Sequence, residues 1–179
     1  MTGANEDLKA LVRTIPDYPR PGIQFRDITT LLLDSDGFAD TIERLADSVV
    51  ERPDLIAAIE ARGFIIGAAL AARLGCGLLL IRKDGKLPGK TIAEDYALEY
   101  GEDRLVMHVD ACAPGAEVLL VDDLIATGGT ALAAVRLIRR AGGAVGRARF
   151  VIDLPELGGA AELAGEGISV ASLMSFEGA

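Results

Sequence analysis

Short runs of apolar residues alternate along the chain with longer stretches in which apolar residues recur at helical spacing. The uninterrupted runs predict buried strands at residues 55–59, 78–81, 118–121, 148–152 and 168–173. The helical spacing predicts helices at residues 6–13, 37–50, 64–74 and 130–141. Strands that are apolar on both faces and separated by helices are typical of a parallel sheet covered on both sides. We therefore predict an α/β fold with a central, mostly parallel sheet flanked by helices.

Two segments interrupt this rhythm. Residues 15–22 contain three prolines, which cannot occupy the interior of a helix, so we predict an ordered loop or an extended segment there. Residues 82–110 are polar, contain three glycines and include an alternating run at 105–109. This pattern predicts a hairpin-like lid or flap that makes an excursion from the sheet.

Length and composition restrict the class of protein. The 179 residues are half apolar and one quarter charged, which indicates a single globular domain. No apolar run reaches the roughly 18 residues of a membrane span, and the polar start of the chain does not resemble a secretory signal. Cys76 and Cys112 stand too far apart for a redox pair, which fits a reducing cytoplasm. The net charge of −9 disfavours nucleic acid and membranes as partners.

The positive charge is concentrated in one part of this acidic chain. Residues 61–90 carry six basic side chains and a single acid, Asp84. Such a segment favours a local anion site, although a solvated basic face is the ordinary alternative.

The segment 117–130, EVLLVDDLIATGGT, carries the most specific chemistry in the sequence. It predicts a buried strand that ends in two carboxylates, then a turn of small residues and a helix. Small residues let backbone N–H groups converge on an anion, and the start of a helix favours negative charge. Thr127 and Thr130 add hydroxyl donors, whereas Asp122 and Asp123 suit the vicinal hydroxyls of a ribose. The segment therefore predicts a site for a 5-phosphoribosyl group.

This segment resembles the phosphoribosyl pyrophosphate-binding motif of the type I phosphoribosyltransferases. The resemblance extends over nearly the whole chain to the branch of that family that uses adenine. Four further segments carry it in the same order: YPRPGIQFRD at 18–27, EARGF at 60–64, RKDGKLPG at 82–89 and YALEYG at 96–101.

The resemblance implies the fold and the reaction. Residues 1–179 would form one phosphoribosyltransferase domain, with an N-terminal base-binding hood at about 1–35 and a lid at about 82–110. Phosphoribosyl pyrophosphate and adenine would give AMP and pyrophosphate, as in purine salvage. The family also implies Mg²⁺ and a homodimer. No metal cage is evident in the sequence, so we expect the substrate to carry Mg²⁺, near Asp122 and Asp123.

The resemblance also assigns roles to individual residues. It makes Arg62 and Lys83 catalytic through the leaving pyrophosphate, and Glu99 through the imidazole proton of adenine. The other branch of purine enzymes typically places an aspartate where this chain has Ala126, which cannot transfer a proton. The predicted substrate-binding residues are Gln24, Phe25, Arg26, Glu60, Ala61, Arg82, Lys86, Tyr100, Asp122, Asp123, Ala126, Thr127, Gly128, Gly129 and Thr130.

Ordinary structural roles remain open for several of these side chains. Phe25, in a segment expected to be irregular, would otherwise fill the core beneath a surface loop. Arg62 would otherwise form a salt bridge with Glu60 or Glu94, and Glu99 would be solvated.

Three other functions compete with this interpretation. A nucleotide kinase is disfavoured because only three residues separate Gly85 and Gly89, where a phosphate-binding P-loop requires four. A regulator that senses phosphoribosyl pyrophosphate and binds nucleic acid would need a basic face or an added domain. A phosphoribosyltransferase for another base is opposed by Ala126 and by the segment around Phe25.

Overall fold

The structure is a computed structural model that describes residues 5–97 and 102–178. The strands are β1 (Arg13–Pro16), β2 (Gln24–Asp27), β3 (Leu55–Ile59), β4 (Gly77–Lys83), β5 (Thr91–Ala97), β6 (Glu102–His108), β7 (Glu117–Ile125), β8 (Ala144–Asp153) and β9 (Ser169–Ser175). The α-helices are α1 (Glu6–Lys9), α2 (Thr29–Leu33), α3 (Ser35–Asp47), α4 (Gly63–Leu74), α5 (Gly129–Arg140) and α6 (Gly159–Gly165), and a 3-10 turn spans Pro155–Leu157.

Seven of the strands form one sheet in the order β5-β6-β4-β3-β7-β8-β9. Each neighbouring pair among β4, β3, β7, β8 and β9 is parallel. At the other edge, β6 pairs antiparallel with β4, and β5 pairs antiparallel with β6. The predicted α/β fold with a mostly parallel sheet flanked by helices is therefore confirmed.

The sheet separates two apolar cores, and β7 shows why its sequence does not alternate between apolar and polar residues. Val118 and Leu120 are buried in the core beneath α5 and α6. Leu119 and Val121 are buried in the core beneath α1 to α4. Both faces of a central parallel strand are thus apolar, which positions the carboxyl end of β7 firmly within the molecule.

The N-terminal helix is shorter than predicted. It ends at Lys9, and Arg13 already begins β1. The prediction of an irregular segment around Phe25 was wrong as well, because β2 pairs with β1 and places Phe25 opposite Ile15. An Arg13–Asp27 ion pair joins the two strands. This pairing links separate segments, so helical or strand periodicity within either one does not reveal it.

The hairpin predicted in the lid is confirmed by β5 and β6. The base of this hairpin joins the edge of the sheet, where β6 pairs with β4 through Arg82 opposite Val106 and Lys83 opposite Leu105. Leu105 and Met107 are buried in the core beneath α5, so their apolar faces hold the hairpin on the sheet.

The structure also bears on membrane insertion and on the rival P-loop. Among the helices in residues 5–97 and 102–178, none combines the length and apolar character that crossing a membrane requires. The glycine turn before Thr91 leads into strand β5, whereas a P-loop leads into a helix. This excludes the kinase interpretation of that turn.

Candidate active site

A cleft of about 390 Å³ opens where the carboxyl ends of β3 and β7 meet. Ligands of open α/β sheets bind at such an edge because the loops that follow neighbouring strands converge there. Eleven of the predicted site residues line the cleft: Glu60, Ala61, Arg62, Lys83, Asp122, Asp123, Ala126, Thr127, Gly128, Gly129 and Thr130.

The loop that follows β7 leads directly into the first turn of α5. Gly128 has a φ of 88°, a backbone conformation that glycine adopts without strain. No side chain among the described residues caps the helix at this position. The N–H groups at the start of α5 are therefore available to an anion in the cleft, and the hydroxyls of Thr127 and Thr130 lie beside them.

The two carboxylates at the end of β7 differ in their surroundings. Asp123 is only 6% exposed and accepts a hydrogen bond of 2.5 Å from Nε of Arg62. Asp122 accepts a hydrogen bond of 2.8 Å from the backbone N–H of Asp123. Burial and the negative charge of Asp123 raise the pKa of Asp122 well above its ordinary value.

Arg62 lies in the turn between β3 and α4. The alternative salt bridge of Arg62 with Glu60 or Glu94 does not form, because Arg62 pairs with Asp123 instead. Glu60 is occupied by Arg82 at 3.2 Å, and Glu94 is bound by Arg140 at 2.7 Å.

Glu60 fastens the same turn to β4. Its carboxylate accepts hydrogen bonds from the Arg82 side chain and, at 3.1 Å, from the backbone N–H of Lys83. Burial raises the pKa of Glu60, but these hydrogen bonds outweigh it and lower the pKa overall. The peptide bond between Glu60 and Ala61 is cis. Glu60 thus stays ionised and fixes the backbone that presents Arg62.

Gly63 brings this turn against the acid pair. A Cβ atom at position 63 would lie 2.5 Å from Oδ1 of Asp122, which is too close for any side chain. The start of α4 and strand β7 are therefore in direct contact, and glycine is the residue that permits it.

Sequence reasoning missed two polar residues that line the cleft, Tyr96 and Asp103. Nζ of Lys83 lies 2.9 Å from Oδ2 of Asp103, which also accepts a hydrogen bond of 3.1 Å from the Tyr96 hydroxyl. The bond to Asp103 raises the pKa of Lys83, and burial raises the pKa of Tyr96. Tyr96 and Asp103 are opposite each other in the β5–β6 hairpin. Knowledge of the hairpin register would therefore have predicted that the two residues are in contact.

The predicted base-binding residues lie on β2 at the edge of this arrangement and do not line the cleft. The Phe25 ring is 5.3 Å from Cζ of Arg62 and packs edge-on against Tyr18, with ring centroids 5.2 Å apart. Arg26 is buried, and its guanidinium donates hydrogen bonds to the Thr14 hydroxyl and to the carbonyl oxygens of Glu177 and Gly178. Phe25 is thus brought to the cleft through Arg62, whereas the Arg26 side chain binds the C-terminal segment. Gln24 is half-buried beside them.

Arg82 and Lys86 also do not line the cleft. Arg82 pairs with Glu60 and donates to the carbonyl oxygen of Lys86 at 2.7 Å, so it holds the β4–β5 turn against β3. Glu99 and Tyr100 lie outside the described residues.

The side chains around the cleft can be compared with the ligands that the expected Mg²⁺ would need. Within residues 5–97 and 102–178, no three histidine, cysteine or acidic side chains gather as a metal site would require. The carboxylates of Asp122 and Asp123 are oxygen ligands of the kind Mg²⁺ prefers, and both face the cleft. They fit an ion that a ligand in the cleft also coordinates.

Comparison with known proteins gives one consistent result. Residues 29–156 match the model of the phosphoribosyl transferase domain family. The chain is 58% identical to the adenine phosphoribosyltransferase of Sphingopyxis alaskensis over 96% of this chain and 94% of that protein. It is 59% identical to the one from Erythrobacter litoralis, over 97% and 98%.

Solved structures agree with the sequence relatives. The adenine phosphoribosyltransferase from Thermoanaerobacter pseudethanolicus superimposes with a TM-score of 0.92 at 47% identity, covering 96% of this chain and 99% of that one. The enzyme from Saccharomyces cerevisiae, solved with adenine and an imino-altritol bisphosphate, gives a TM-score of 0.88 at 33% identity, covering 94% and 97%.

Proposed function

Since this chain belongs to the adenine phosphoribosyltransferases, we propose that its cleft transfers the 5-phosphoribosyl group of phosphoribosyl pyrophosphate to adenine, giving AMP and pyrophosphate. One observation supports this assignment above all others. One cleft of about 390 Å³ is lined by the loop of small residues at the start of α5, by the acid pair Asp122 and Asp123, and by the cations Arg62 and Lys83 from two other segments.

The substrate fits these groups by charge and by hydrogen bonding. The 5-phosphate binds the N–H groups and hydroxyls of residues 126–130, where the start of α5 favours an anion. The ribose hydroxyls donate to Asp122 and Asp123. The pyrophosphate lies between Arg62 and Lys83, whose positive charges match its negative charge. The phosphoribosyl unit is thus held at both ends with its anomeric carbon between them.

Adenine binds beside Phe25, with the β2 backbone around Gln24 and Arg26 presenting hydrogen-bonding groups to its edge. The Arg62 guanidinium next to the Phe25 ring connects this base site to the pyrophosphate site. Glu99 accepts or returns the imidazole proton of adenine, and Tyr100 helps to close the site, as the resemblance implies. Ala126 leaves the other side of the base without an ionisable group.

The reaction is a substitution at the anomeric carbon in which the bond to pyrophosphate breaks as the bond to adenine forms. Positive charge develops on the ribose while negative charge develops on the leaving group. Arg62 and Lys83 stabilise the leaving group, and the acid pair fixes the ribose. The Tyr96–Asp103–Lys83 cluster holds the lysine charge in place, because Asp103 keeps Lys83 protonated.

Mg²⁺ is the cofactor we assign to this reaction, carried by the substrate. When bound, it would neutralise part of the pyrophosphate charge, and the carboxylates of Asp122 and Asp123 would hold it beside the substrate. We place the reaction in the cytoplasm, because its phosphorylated substrates and products carry charges that are costly to transfer across a membrane.

Product analysis tests this function. The purified protein, Mg²⁺ and phosphoribosyl pyrophosphate should convert adenine to AMP, while hypoxanthine, guanine and orotate should yield no nucleotide above the no-base control. Chelation of Mg²⁺ should abolish turnover, and its return should restore it. Chromatography of the products and of released pyrophosphate provides the measurement.

Each alternative would give a different result in that assay. Turnover of another base would retain the phosphate site and refute the base assignment. Binding of phosphoribosyl pyrophosphate without turnover of any base would indicate a sensor. Glu99→Gln should lower kcat with little effect on the affinity for phosphoribosyl pyrophosphate, and an unchanged kcat would refute its role.

We also propose that residues 1–179 act as one domain, with the hood at about 1–35 and the lid at about 82–110, and that two copies form a homodimer. An apolar surface supports the dimer. Ile65 on α4 and Leu78 and Leu80 on β4 are each 38–45% exposed on elements that pack together. Exposed apolar patches of this kind are typical of interfaces between subunits.

The dimer proposal predicts a specific effect of charge on this surface. Leu78→Asp combined with Leu80→Asp should convert most of the protein to monomer, because two unpaired carboxylates would be buried at the interface. Light scattering after size-exclusion chromatography gives the mass. Val50→Asp is the control, since Val50 is 94% exposed in the connection between α3 and β3 and its replacement should leave the mass unchanged. A monomeric wild-type protein would refute the proposal.

A further inference from the structure

The turn that begins α6 packs directly beneath the phosphate loop. The backbone N–H of Gly159 donates a hydrogen bond of 2.9 Å to the carbonyl oxygen of Ala126. A Cβ atom at position 159 would lie 2.3 Å from that oxygen and 2.6 Å from the backbone nitrogen of Gly128. A Cβ atom at position 128 would in turn lie 3.0 Å from Cα of Gly159. The two glycine backbones are therefore in contact without any side chain between them.

A backbone hydrogen bond and a buried side chain hold this turn in place. Leu154 donates from its backbone N–H to the carbonyl oxygen of Ile125 at 3.0 Å, which ties the start of the same connection to the end of β7. Leu163, one turn along α6 from Gly159, is fully buried in the core beneath α5. The turn therefore cannot move away from the loop without disturbing the core.

The two nearest atoms that a methyl group at position 159 would meet are backbone atoms of the loop, and the next is Cγ1 of the Ile125 side chain at 2.9 Å. A side chain can rotate away from such a clash, but a backbone carbonyl and amide can only move with the loop itself. Phosphate binding depends on several N–H groups pointing at one anion, so a shift of a few tenths of an ångström misdirects them. The geometry points to Gly159 as a positioning residue, which fixes the position of loop 126–129 and the orientation of its N–H groups toward the 5-phosphate.

This inference rests on the proposed function, because it assumes that the loop binds the phosphate of the ribosyl substrate. It adds a residue about 30 positions beyond the loop to the set that determines affinity for that substrate. Gly159 itself does not line the cleft. Its effect is therefore exerted through Ala126 and Gly128.

Gly159→Ala tests the inference, with Gly165→Ala as the matched control. Gly165 lies in the same helix, and a Cβ atom there would meet no atom within 4 Å. We expect Gly159→Ala to weaken binding of ribose 5-phosphate about 10- to 100-fold, the size of effect that small displacements of a site produce. Binding of magnesium pyrophosphate, which contacts Arg62 and Lys83 instead, should change less than about 3-fold. Gly165→Ala should bind both ligands as the wild type does.

The two ligands separate this inference from the proposed function. If the wild type makes AMP and binds ribose 5-phosphate but folded Gly159→Ala binds it equally well, the positioning role is refuted alone. If the wild type fails to bind ribose 5-phosphate, the proposed function fails with it. Equal losses for both ligands would indicate general damage and also refute the positioning role.

A measurement on the wild type keeps the test independent of how the variant folds. Ribose 5-phosphate should slow hydrogen exchange of the Gly159 amide, because its acceptor is a carbonyl of the loop that the ligand immobilises. Magnesium pyrophosphate should not slow it. Unchanged exchange at Gly159 in saturating ribose 5-phosphate would overturn the inference.

Discussion

Replacing Arg62 with alanine should lower kcat/KM for phosphoribosyl pyrophosphate by about 10²- to 10³-fold, the usual loss when one donor to a developing negative charge is removed. Arg62 contacts Asp123 through Nε at 2.5 Å, while its Cζ lies 5.3 Å from the Phe25 ring. One side chain therefore links the acid pair, the base site and, in the proposed reaction, the departing pyrophosphate.

Arg62→Lys should retain part of the activity. Lysine keeps the charge but not the planar fork of donors that binds Asp123 and pyrophosphate oxygens together. We expect its loss to fall between wild type and Arg62→Ala. Steady-state kinetics with both substrates varied would show whether KM or kcat carries the loss. An intermediate value supports a directional role beyond simple charge.

The effect of Arg62→Ala on stability should be much smaller than its effect on activity. Asp123 is nearly buried and loses its cation, but the Arg62 side chain is 38% exposed, so water screens the pair. We expect a loss of about 1 kcal/mol in the free energy of unfolding. Arg73→Ala is the control, because Arg73 pairs with Glu43 on the exposed surface and its removal should leave kinetics unchanged. Activity of Arg62→Ala within about 3-fold of wild type would contradict the assigned role.

The central sheet could be predicted because its strands carry their own signal. Runs such as Leu55–Ile59 are apolar on both faces, and only a strand between two helical layers satisfies that pattern. The phosphate loop was predictable for a similar reason, since its carboxylates, small residues and hydroxyls are consecutive in the chain. Local chemistry and local structure coincide there.

The remainder of the site depends on contacts between distant segments. Arg62 finds Asp123 rather than Glu60 because Arg82 occupies Glu60. Asp103 joins the cleft only through the register of the β5–β6 hairpin. Phe25 reaches Arg62 because β2 pairs with β1. None of these partners is fixed by spacing along the sequence, so only the folded arrangement reveals them.

Asp122 should make the folded protein less stable as the pH rises, because burial and the charge of Asp123 raise its pKa above the ordinary value of 3.8. An acid whose pKa is raised by folding holds its proton more tightly in the folded state than in the unfolded state. The unfolded chain therefore releases that proton first, and stability falls from about pH 4 upward until the folded-state pKa is passed. The group that binds ribose thus costs stability at neutral pH.

Asp122→Asn should both increase the stability of the folded protein at neutral pH and reduce its activity. The amide has the same shape but no charge, so the free energy of unfolding should rise by about 1 kcal/mol near pH 7, or roughly 2–4 °C in Tm. Near pH 4 the variant and the wild type should be equal. Activity should fall about 10- to 100-fold, since a carboxylate that accepts ribose hydroxyls is lost.

Thermal unfolding from pH 4 to pH 8, with kinetics at pH 7.5, measures both effects. Asp110→Asn is the control, because Asp110 is exposed and its replacement should alter neither profile. A pH–stability curve for Asp122→Asn parallel to that of the wild type would show that another group causes the loss of stability. A more stable and less active variant would show that the charge at the ribose site is retained for binding despite its cost in folding stability.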